Sequence, residues 1–219
     1  LGLALARAGW DVRLHGRRPQ ALPPPLELTT GDVPPWLDAA GVVVIAVPDD
    51  AIPTVAAQLA RSGKVGARHV VLHVSGVLDG SALEPLASTG AALGSLHPLQ
   101  SLSDPTTAPD RLRGAYAAVE GDDRAASAAV DLAESVGLKP FRLAAGQKAR
   151  YHAGAVFAAN FLVTLYGTAE KLFTSAGVPR EDAAPALLSL MRGVLDNVKA
   201  RGAAGALPGP VARGDAESL

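Results

Sequence analysis

Short β-rich runs alternate with alanine- and leucine-rich runs through the first two thirds of this chain. The clearest β-rich run, Gly41-Val-Val-Val-Ile-Ala-Val-Pro48, is continuously apolar, which is typical of a strand buried on both faces of a sheet. Alternation of such strands with helical runs indicates βαβ units and a mainly parallel sheet. The sequence therefore predicts an α/β fold for residues 1–145.

The chain changes in character after Gly146. Residues 147–176 contain hardly any helix breaker, which predicts a helix of about 30 residues, and residues 180–201 predict a second helix. We therefore expect an all-α domain over residues 146–219. Within the α/β domain we expect the remaining strands at 12–15, 26–29, 69–74, 91–96, 115–119 and 139–143, and helices at 51–61 and 124–136.

The run Asp11-Val-Arg-Leu-His-Gly-Arg-Arg18 predicts the second strand of a dinucleotide-binding fold. In such folds, a carboxylate after this strand binds the 2′-hydroxyl of NAD, whereas an arginine accommodates the 2′-phosphate of NADP. Arg17 and Arg18 stand at this position and favour NADP. The alternative is a solvated arginine pair in a turn.

The residues before this strand, Leu1 to Gly9, predict the end of the preceding helix, closed by a glycine. The glycine-rich loop that holds the pyrophosphate should lie between the first strand and that helix, and so before residue 1. We therefore expect a piece of a longer protein that lacks its first strand and glycine-rich loop. At the other end the chain stops after a turn-rich segment, residues 207–215.

Composition limits the classes of partner. Hydrophobic residues make up 48% of the chain and charged residues 19%, as in folded globular proteins. The 20 basic and 21 acidic residues create no strong field for nucleic acid or an anionic membrane, and no apolar run approaches the ~20 residues of a membrane span. The absence of cysteine excludes disulfides and fits a cytoplasmic protein, and the histidine spacings predict no metal site.

Several candidate binding residues follow strands, where open α/β sheets bind ligands. Val47 and Pro48 end the apolar strand, and Pro48 lets the backbone pass a cofactor without an N–H of its own. Ser75 and Gly76 offer a small hydroxyl and a flexible backbone beside a nicotinamide, or simply a turn. His97 is expected at a strand end, as a general acid or base or as a structural hydrogen-bonding group.

The predicted long helix carries a polar stripe. Lys148, His152 and Asn160 lie at intervals of four or eight residues in a run rich in alanine, valine, phenylalanine and leucine. Such a stripe faces either solvent or a cavity. We favour a cleft between the sheet and the helical domain.

Four segments together carry a family resemblance: Val47-Pro-Asp-Asp-Ala-Ile52, Leu96-His-Pro-Leu-Gln-Ser101, Tyr151-His-Ala-Gly-Ala-Val-Phe-Ala-Ala-Asn160 and Gly209-Pro-Val-Ala-Arg-Gly-Asp215. They resemble a Rossmann-like family of NADP-dependent oxidoreductases whose C-terminal helical part is a domain of unknown function. The order of parts is similar to the superfamily of pyrroline-carboxylate reductase, prephenate dehydrogenase and the hydroxyisobutyrate and phosphogluconate dehydrogenases.

That resemblance implies a hydride transfer with a lysine on the helix that joins the domains. Several β-hydroxyacid dehydrogenases of the superfamily have an asparagine four residues after this lysine. Here the residue four after Lys148 is His152, and the asparagine is Asn160, so the departure speaks against a hydroxyacid substrate.

The resulting hypothesis is an NADP-dependent oxidoreductase acting on a small carbonyl or imine compound. Arg17 and Arg18 would bind the 2′-phosphate, and the loops at Val47–Pro48 and Ser75–Gly76 would lie near the nicotinamide. His152 would donate the proton, Lys148 and Asn160 would polarise the substrate, and His97 would act from the opposite wall. The rival hypothesis is a non-catalytic NADP-binding or sensing protein. In either case the helical domain is expected to form a homodimer.

Overall fold

A computed structural model describes residues 1–206 of the chain. The predicted turn-rich segment 207–215, with its Gly209–Asp215 motif, lies outside the described residues. The strands are β1 (Leu14–Gly16), β2 (Leu28–Thr30), β3 (Val42–Ile45), β4 (Val70–His73), β5 (Ala92–Leu99), β6 (Tyr116–Gly121) and β7 (Lys139–Arg142). The helices are α1 (Gly2–Arg7), α2 (Ile52–Arg61), α3 (Ala108–Leu112), α4 (Asp123–Ser135), α5 (Lys148–Val156), α6 (Leu162–Ser175) and α7 (Arg180–Ala206).

The strands form one five-stranded sheet and one two-stranded sheet. The larger sheet has the order β3-β4-β5-β6-β7, in which β5 and β6 pair antiparallel and the other neighbours pair parallel. Strands β1 and β2 pair parallel with each other. The predicted α/β fold with a mainly parallel sheet is confirmed.

Strand β5 extends beyond its predicted end at Leu96. His97 and Pro98 are paired with Ala118 and Ala117 of β6, and the ladder continues to Leu99. The prediction that His97 stands at a strand end is therefore wrong, because the antiparallel partner supports the strand past the proline. Strand β4, the neighbour on the other side, ends opposite Ser95.

The larger sheet is covered on both faces by apolar clusters. On one face, Leu72, Leu96 and Val119 pack with alanines of α4. On the other, Val71 packs with residues of α2 and of the 3₁₀ helix Gly80–Thr89. All four residues of β4 are buried, because its side chains alternate between the two clusters. This burial fixes the register that places the polar residues described below.

Strands β5 and β6 approach each other closely at a glycine pair. Gly94 lies opposite Gly121, and a Cβ added to either residue would lie 2.5 Å from a carbonyl oxygen of the other strand. The side chain of Ala125 of α4 packs against the same point. Only glycine fits at these two positions, which lie beside Ser95 and Glu120.

Two compact units divide the chain, Leu1–Ala155 and a second unit that begins at Val156. In its described part, residues 156–206, the second unit is helical and contains a π-helical segment Phe157–Phe161, α6 and α7. Gly202 interrupts α7 with a φ of 72°. The domain boundary expected at residue 145 stays a prediction. Among residues 1–206, no helix is long and apolar enough to cross a membrane.

Candidate active site

The loop after β4 forms a turn around Ser75. The Ser75 hydroxyl accepts hydrogen bonds from the backbone N–H groups of Val77 at 3.2 Å and Leu78 at 3.0 Å. Ser75 and Gly76 are both buried. The hydroxyl therefore stabilises the loop, and the proposed contacts of Ser75 and Gly76 with a cofactor stay predictions.

Helix α5 presents three polar side chains on one face. Lys148, Tyr151 and His152 stand at positions i, i+3 and i+4, which are neighbours on a helix surface. Lys148 is only 2% exposed, and its Nζ donates a hydrogen bond of 2.6 Å to the carbonyl oxygen of Ser75. The helix is thereby attached to the loop after β4.

Gly76 lies between two histidine rings. A Cβ added to Gly76 would lie 2.6 Å from Nδ1 of His152 and 2.8 Å from Nε2 of His97. The centroids of the two rings are 6.3 Å apart. Since any side chain would displace one or both rings, the glycine is required for this arrangement.

A tyrosine hydroxyl orients one of the two rings. The hydroxyl of Tyr151 shares a hydrogen bond of 2.8 Å with Nδ1 of His97, and the two rings meet edge to face. On His152, Nδ1 is buried and has no hydrogen-bond partner among the described residues.

A row of polar side chains crosses the sheet beneath this loop. His73 of β4 pairs in register with Ser95 of β5, which pairs with Glu120 of β6. All three residues are buried. Ser95 Oγ and Glu120 Oε2 have no hydrogen-bond partner within the described part of the chain. Buried polar atoms without partners are costly and call for a physical explanation.

The two histidines of the sheet are held neutral. Burial, and then the charge of Lys148, lower the pKa of His73 to about 4. The N–H of Ser75 donates to Nδ1 of His73, so the proton of the neutral ring lies on Nε2, which donates to the carbonyl oxygen of Asp79. Burial, Lys148 and His152 likewise lower the pKa of His97 to about 4.

The lysine and the glutamate are also shifted. Burial lowers the pKa of Lys148 to about 8, while the carboxylates of Glu120, Asp49 and Asp79 act in the opposite direction. Burial raises the pKa of Glu120, and the charge of Lys148 opposes this shift. Burial also raises the pKa of Tyr151. Shifted pKa values in a group of neighbouring residues are typical of active sites.

The structure brings together Ser75, Gly76, His97, Lys148 and His152. Their catalytic roles stay predictions.

The other predicted residues lie elsewhere. Arg17 and Arg18 follow β1 and are exposed. Val47 and Pro48 lie shortly after the end of β3, and Pro48 is exposed. Asn160 lies in the π-helical segment of the second unit, where it is exposed. Its place beside the lysine, and the cleft expected between the two domains, stay predictions. In the described residues, no group of three or more histidine, aspartate or glutamate side chains could hold a metal ion.

Sequence reasoning missed Tyr151, Ser95 and Glu120 as residues of the candidate site. Tyr151 follows Lys148 by three residues, so the helical period that pointed to His152 also indicated the tyrosine. Ser95 and Glu120 meet only through strand pairing, which a single sequence does not reveal.

Two family models match the chain. Residues 17–98 match a Rossmann-like domain, and residues 115–219 match a domain of unknown function, DUF2520. No curated protein sequence matches the chain.

Solved structures share the fold. TM1727 from Thermotoga maritima is 31% identical to this chain, with a TM-score of 0.68. The match covers 81% of this chain and 66% of TM1727, so this chain spans just under two thirds of the length of TM1727. BF3122 from Bacteroides fragilis, provisionally assigned as an NADP oxidoreductase, is 18% identical with a TM-score of 0.75, covering 99% of this chain and 83% of that protein.

A third similar structure, pyrroline carboxylate reductase from Plasmodium falciparum with NADP bound, is 13% identical with a TM-score of 0.67, covering 90% of this chain and 73% of that protein. At these identities the last two matches show a shared fold. With its two domain matches, the chain belongs to the Rossmann-like family whose C-terminal part is the DUF2520 domain.

Proposed function

We propose that this protein is an NADP-dependent oxidoreductase that transfers a hydride between NADPH and a small carbonyl or imine compound. The observation that carries the proposal is the position of Gly76, which follows the parallel strand β4 and lies between the rings of His97 and His152. Ligands of open α/β sheets bind at this edge. Oxidoreductases among the proteins of the same fold support the same reaction class.

The residues of the first unit fit a dinucleotide. The guanidinium groups of Arg17 and Arg18 are exposed after β1 and form no salt bridge within residues 1–206, so both are available to a 2′-phosphate. Val47 and Pro48, with Ser75 and Gly76, follow the two neighbouring strands β3 and β4 and would lie near the nicotinamide. When bound, NADPH supplies the hydride.

The polar groups around Gly76 divide the remaining tasks. His97, with a pKa of about 4, is neutral at pH 7 and acts by hydrogen bonding, not as a source of protons. His152, whose ring lies on the other side of Gly76, is the proposed proton donor. Lys148 holds the loop through the Ser75 carbonyl and, with Asn160, is proposed to polarise the substrate.

Cofactor binding is the first test. We expect the full-length protein to bind NADPH more tightly than NADH in a fluorescence titration. Replacing both Arg17 and Arg18 with alanine should weaken NADPH binding by at least about tenfold, ~1.4 kcal/mol, and leave NADH binding unchanged. Alanine at the exposed Arg61 and Arg68 removes the same charge elsewhere and should leave both affinities unchanged. No binding of either nucleotide would refute the proposal.

Turnover is the second test. A panel of small ketones, aldehydes and cyclic imines is incubated with NADPH, and its oxidation is followed at 340 nm. His152→Ala should lower the turnover number more than the affinity for NADPH. NADPH binding without turnover of any compound would instead support a sensing role, and unchanged turnover of the variant would remove His152 from the mechanism.

A further inference from the structure

Tyr151 of α5 contacts two residues of the sheet that lie on either side of an alanine. His97 of β5 pairs with Ala118 of β6, which pairs with Phe141 of β7, so the three side chains lie in one row on one face. The centroid of the Tyr151 ring is 5.6 Å from that of His97 and 5.9 Å from that of Phe141, with edge-to-face geometry at both. These two contacts fix the place of the tyrosine hydroxyl.

The hydrogen bond between Tyr151 and His97 has two possible directions. The hydroxyl oxygen and Nδ1 are 2.8 Å apart, and either the hydroxyl donates to Nδ1 or Nδ1–H donates to the hydroxyl. Burial raises the pKa of Tyr151, so the hydroxyl keeps its proton, and Nδ1 is its one hydrogen-bond partner among the described residues. Only donation by the tyrosine gives the hydroxyl proton an acceptor within this part of the chain.

Donation by Tyr151 determines where the proton of His97 lies. A neutral imidazole carries one proton, and the hydrogen bond made by one ring nitrogen sets the protonation of the other. With Nδ1 as the acceptor, the proton lies on Nε2. This nitrogen has no hydrogen-bond partner within residues 1–206, and it lies 2.8 Å from the place of a Cβ added to Gly76. The resulting N–H is therefore left for a ligand at the half-buried ring of His97.

We propose that Tyr151 is a positioning residue that holds His97 in the tautomer with its proton on Nε2, so that the ring offers an N–H to an acceptor atom of the ligand beside Gly76. The proposal deepens the proposed function and rests on it for the ligand, whose acceptor is the carbonyl oxygen or the unprotonated imine nitrogen of the substrate. Tyr151 acts through His97 and is not assigned contact with the ligand.

The test reads the ring nitrogens of His97 by NMR in the full-length protein without NADPH, at pH 7, where this ring is neutral. Labelling with ¹⁵N-histidine gives signals from five residues within 1–219, and His97→Gln identifies the relevant ones. If that variant does not fold, contacts with the ring protons of Tyr151 give the same assignment. We expect the chemical shift of a protonated nitrogen at Nε2 and of an unprotonated one at Nδ1. A proton on Nδ1 would overturn the proposal.

Tyr151→Phe removes the hydroxyl and keeps the ring. In this variant the two nitrogen shifts of His97 should move toward each other, because both tautomers are then populated. The control is Tyr116→Phe, which removes a hydroxyl from another tyrosine that packs against Phe141 and should leave the His97 shifts unchanged. Unchanged His97 shifts in a folded Tyr151→Phe protein would show that Tyr151 does not set the tautomer and would overturn the proposal.

Turnover tests the hydrogen bond to the ligand. With the ketones, aldehydes or imines that are reduced, Tyr151→Phe should lower kcat roughly two- to tenfold, the effect of one weakened hydrogen bond, and leave the Kd for NADPH unchanged. Tyr116→Phe should change neither. Unchanged kcat in Tyr151→Phe would overturn the contact with the ligand. If no compound is reduced, the oxidoreductase proposal and the assigned acceptor fail together. The NMR measurement involves neither NADPH nor turnover and still decides the tautomer, so the two failures are distinguishable.

Discussion

Acidification should destabilise the protein through His73. This residue is fully buried, its pKa is about 4, and its ordinary value in an unfolded chain is 6.5. Between these values the unfolded chain binds more protons than the folded protein, so the free energy of unfolding falls as the pH is lowered. The difference of 2.5 pH units corresponds to about 3 kcal/mol of lost stability by pH 4.

The assay is urea unfolding at several pH values between 7 and 4, for the wild type and two variants. His73→Gln removes the titrating ring. At pH 7 this variant should have a free energy of unfolding about 1–3 kcal/mol below that of the wild type, because hydrogen bonds are lost. Between pH 7 and pH 4, however, its free energy of unfolding should fall by about 3 kcal/mol less than that of the wild type. The control Val71→Ala creates a cavity on the same buried strand and should keep the wild-type pH dependence. If the free energy of unfolding depends on pH in the same way for the wild type and His73→Gln, the low pKa of His73 is refuted.

Three further predictions concern packing. Gly76→Ala should lower the free energy of unfolding by about 1–3 kcal/mol and weaken turnover, whereas Gly80→Ala, at a position with nothing within 4 Å of the added carbon, should change neither. Leu72→Ala, on the fully buried strand β4, should lower the free energy of unfolding by about 2–5 kcal/mol in urea, and a loss below about 1 kcal/mol would contradict its burial. Leu165 and Leu172 are 65% and 64% exposed and lie seven residues apart on α6, so we expect the protein to form a homodimer. In sedimentation experiments, the double variant Leu165→Glu, Leu172→Glu should be a monomer. A monomeric wild-type protein would exclude this dimer.

Much of the fold could be predicted because strands β3 and β4 are short and strongly apolar. The run around Val42–Ile45 and the alternation with α2 and α4 were sufficient for an α/β fold with a mainly parallel sheet. The end of β5 was not predictable. The strand was expected to stop at Leu96, but the pairing with β6 continues to Leu99, and such long-range pairing overrides local signals.

The candidate site was predictable only where one element carries its residues. The helical period of α5 brings Lys148 and His152 to one face. Ser95 and Glu120 are 25 positions apart in the sequence, and their meeting depends on the pairing of β5 with β6, in which Gly94 lies opposite Gly121. A glutamate within the run Tyr116–Gly121 has no local feature that distinguishes it from an exposed one.

Stability alone does not account for the polar cluster. Ser95 Oγ, Glu120 Oε2 and His152 Nδ1 are buried without partners among the described residues, and each such atom costs about 1–3 kcal/mol. The whole stability of a domain is about 5–15 kcal/mol, and apolar side chains of similar size would avoid this cost. Since these unpartnered atoms lower stability, their burial supports the proposal that this part of the fold is kept for a function and not for stability.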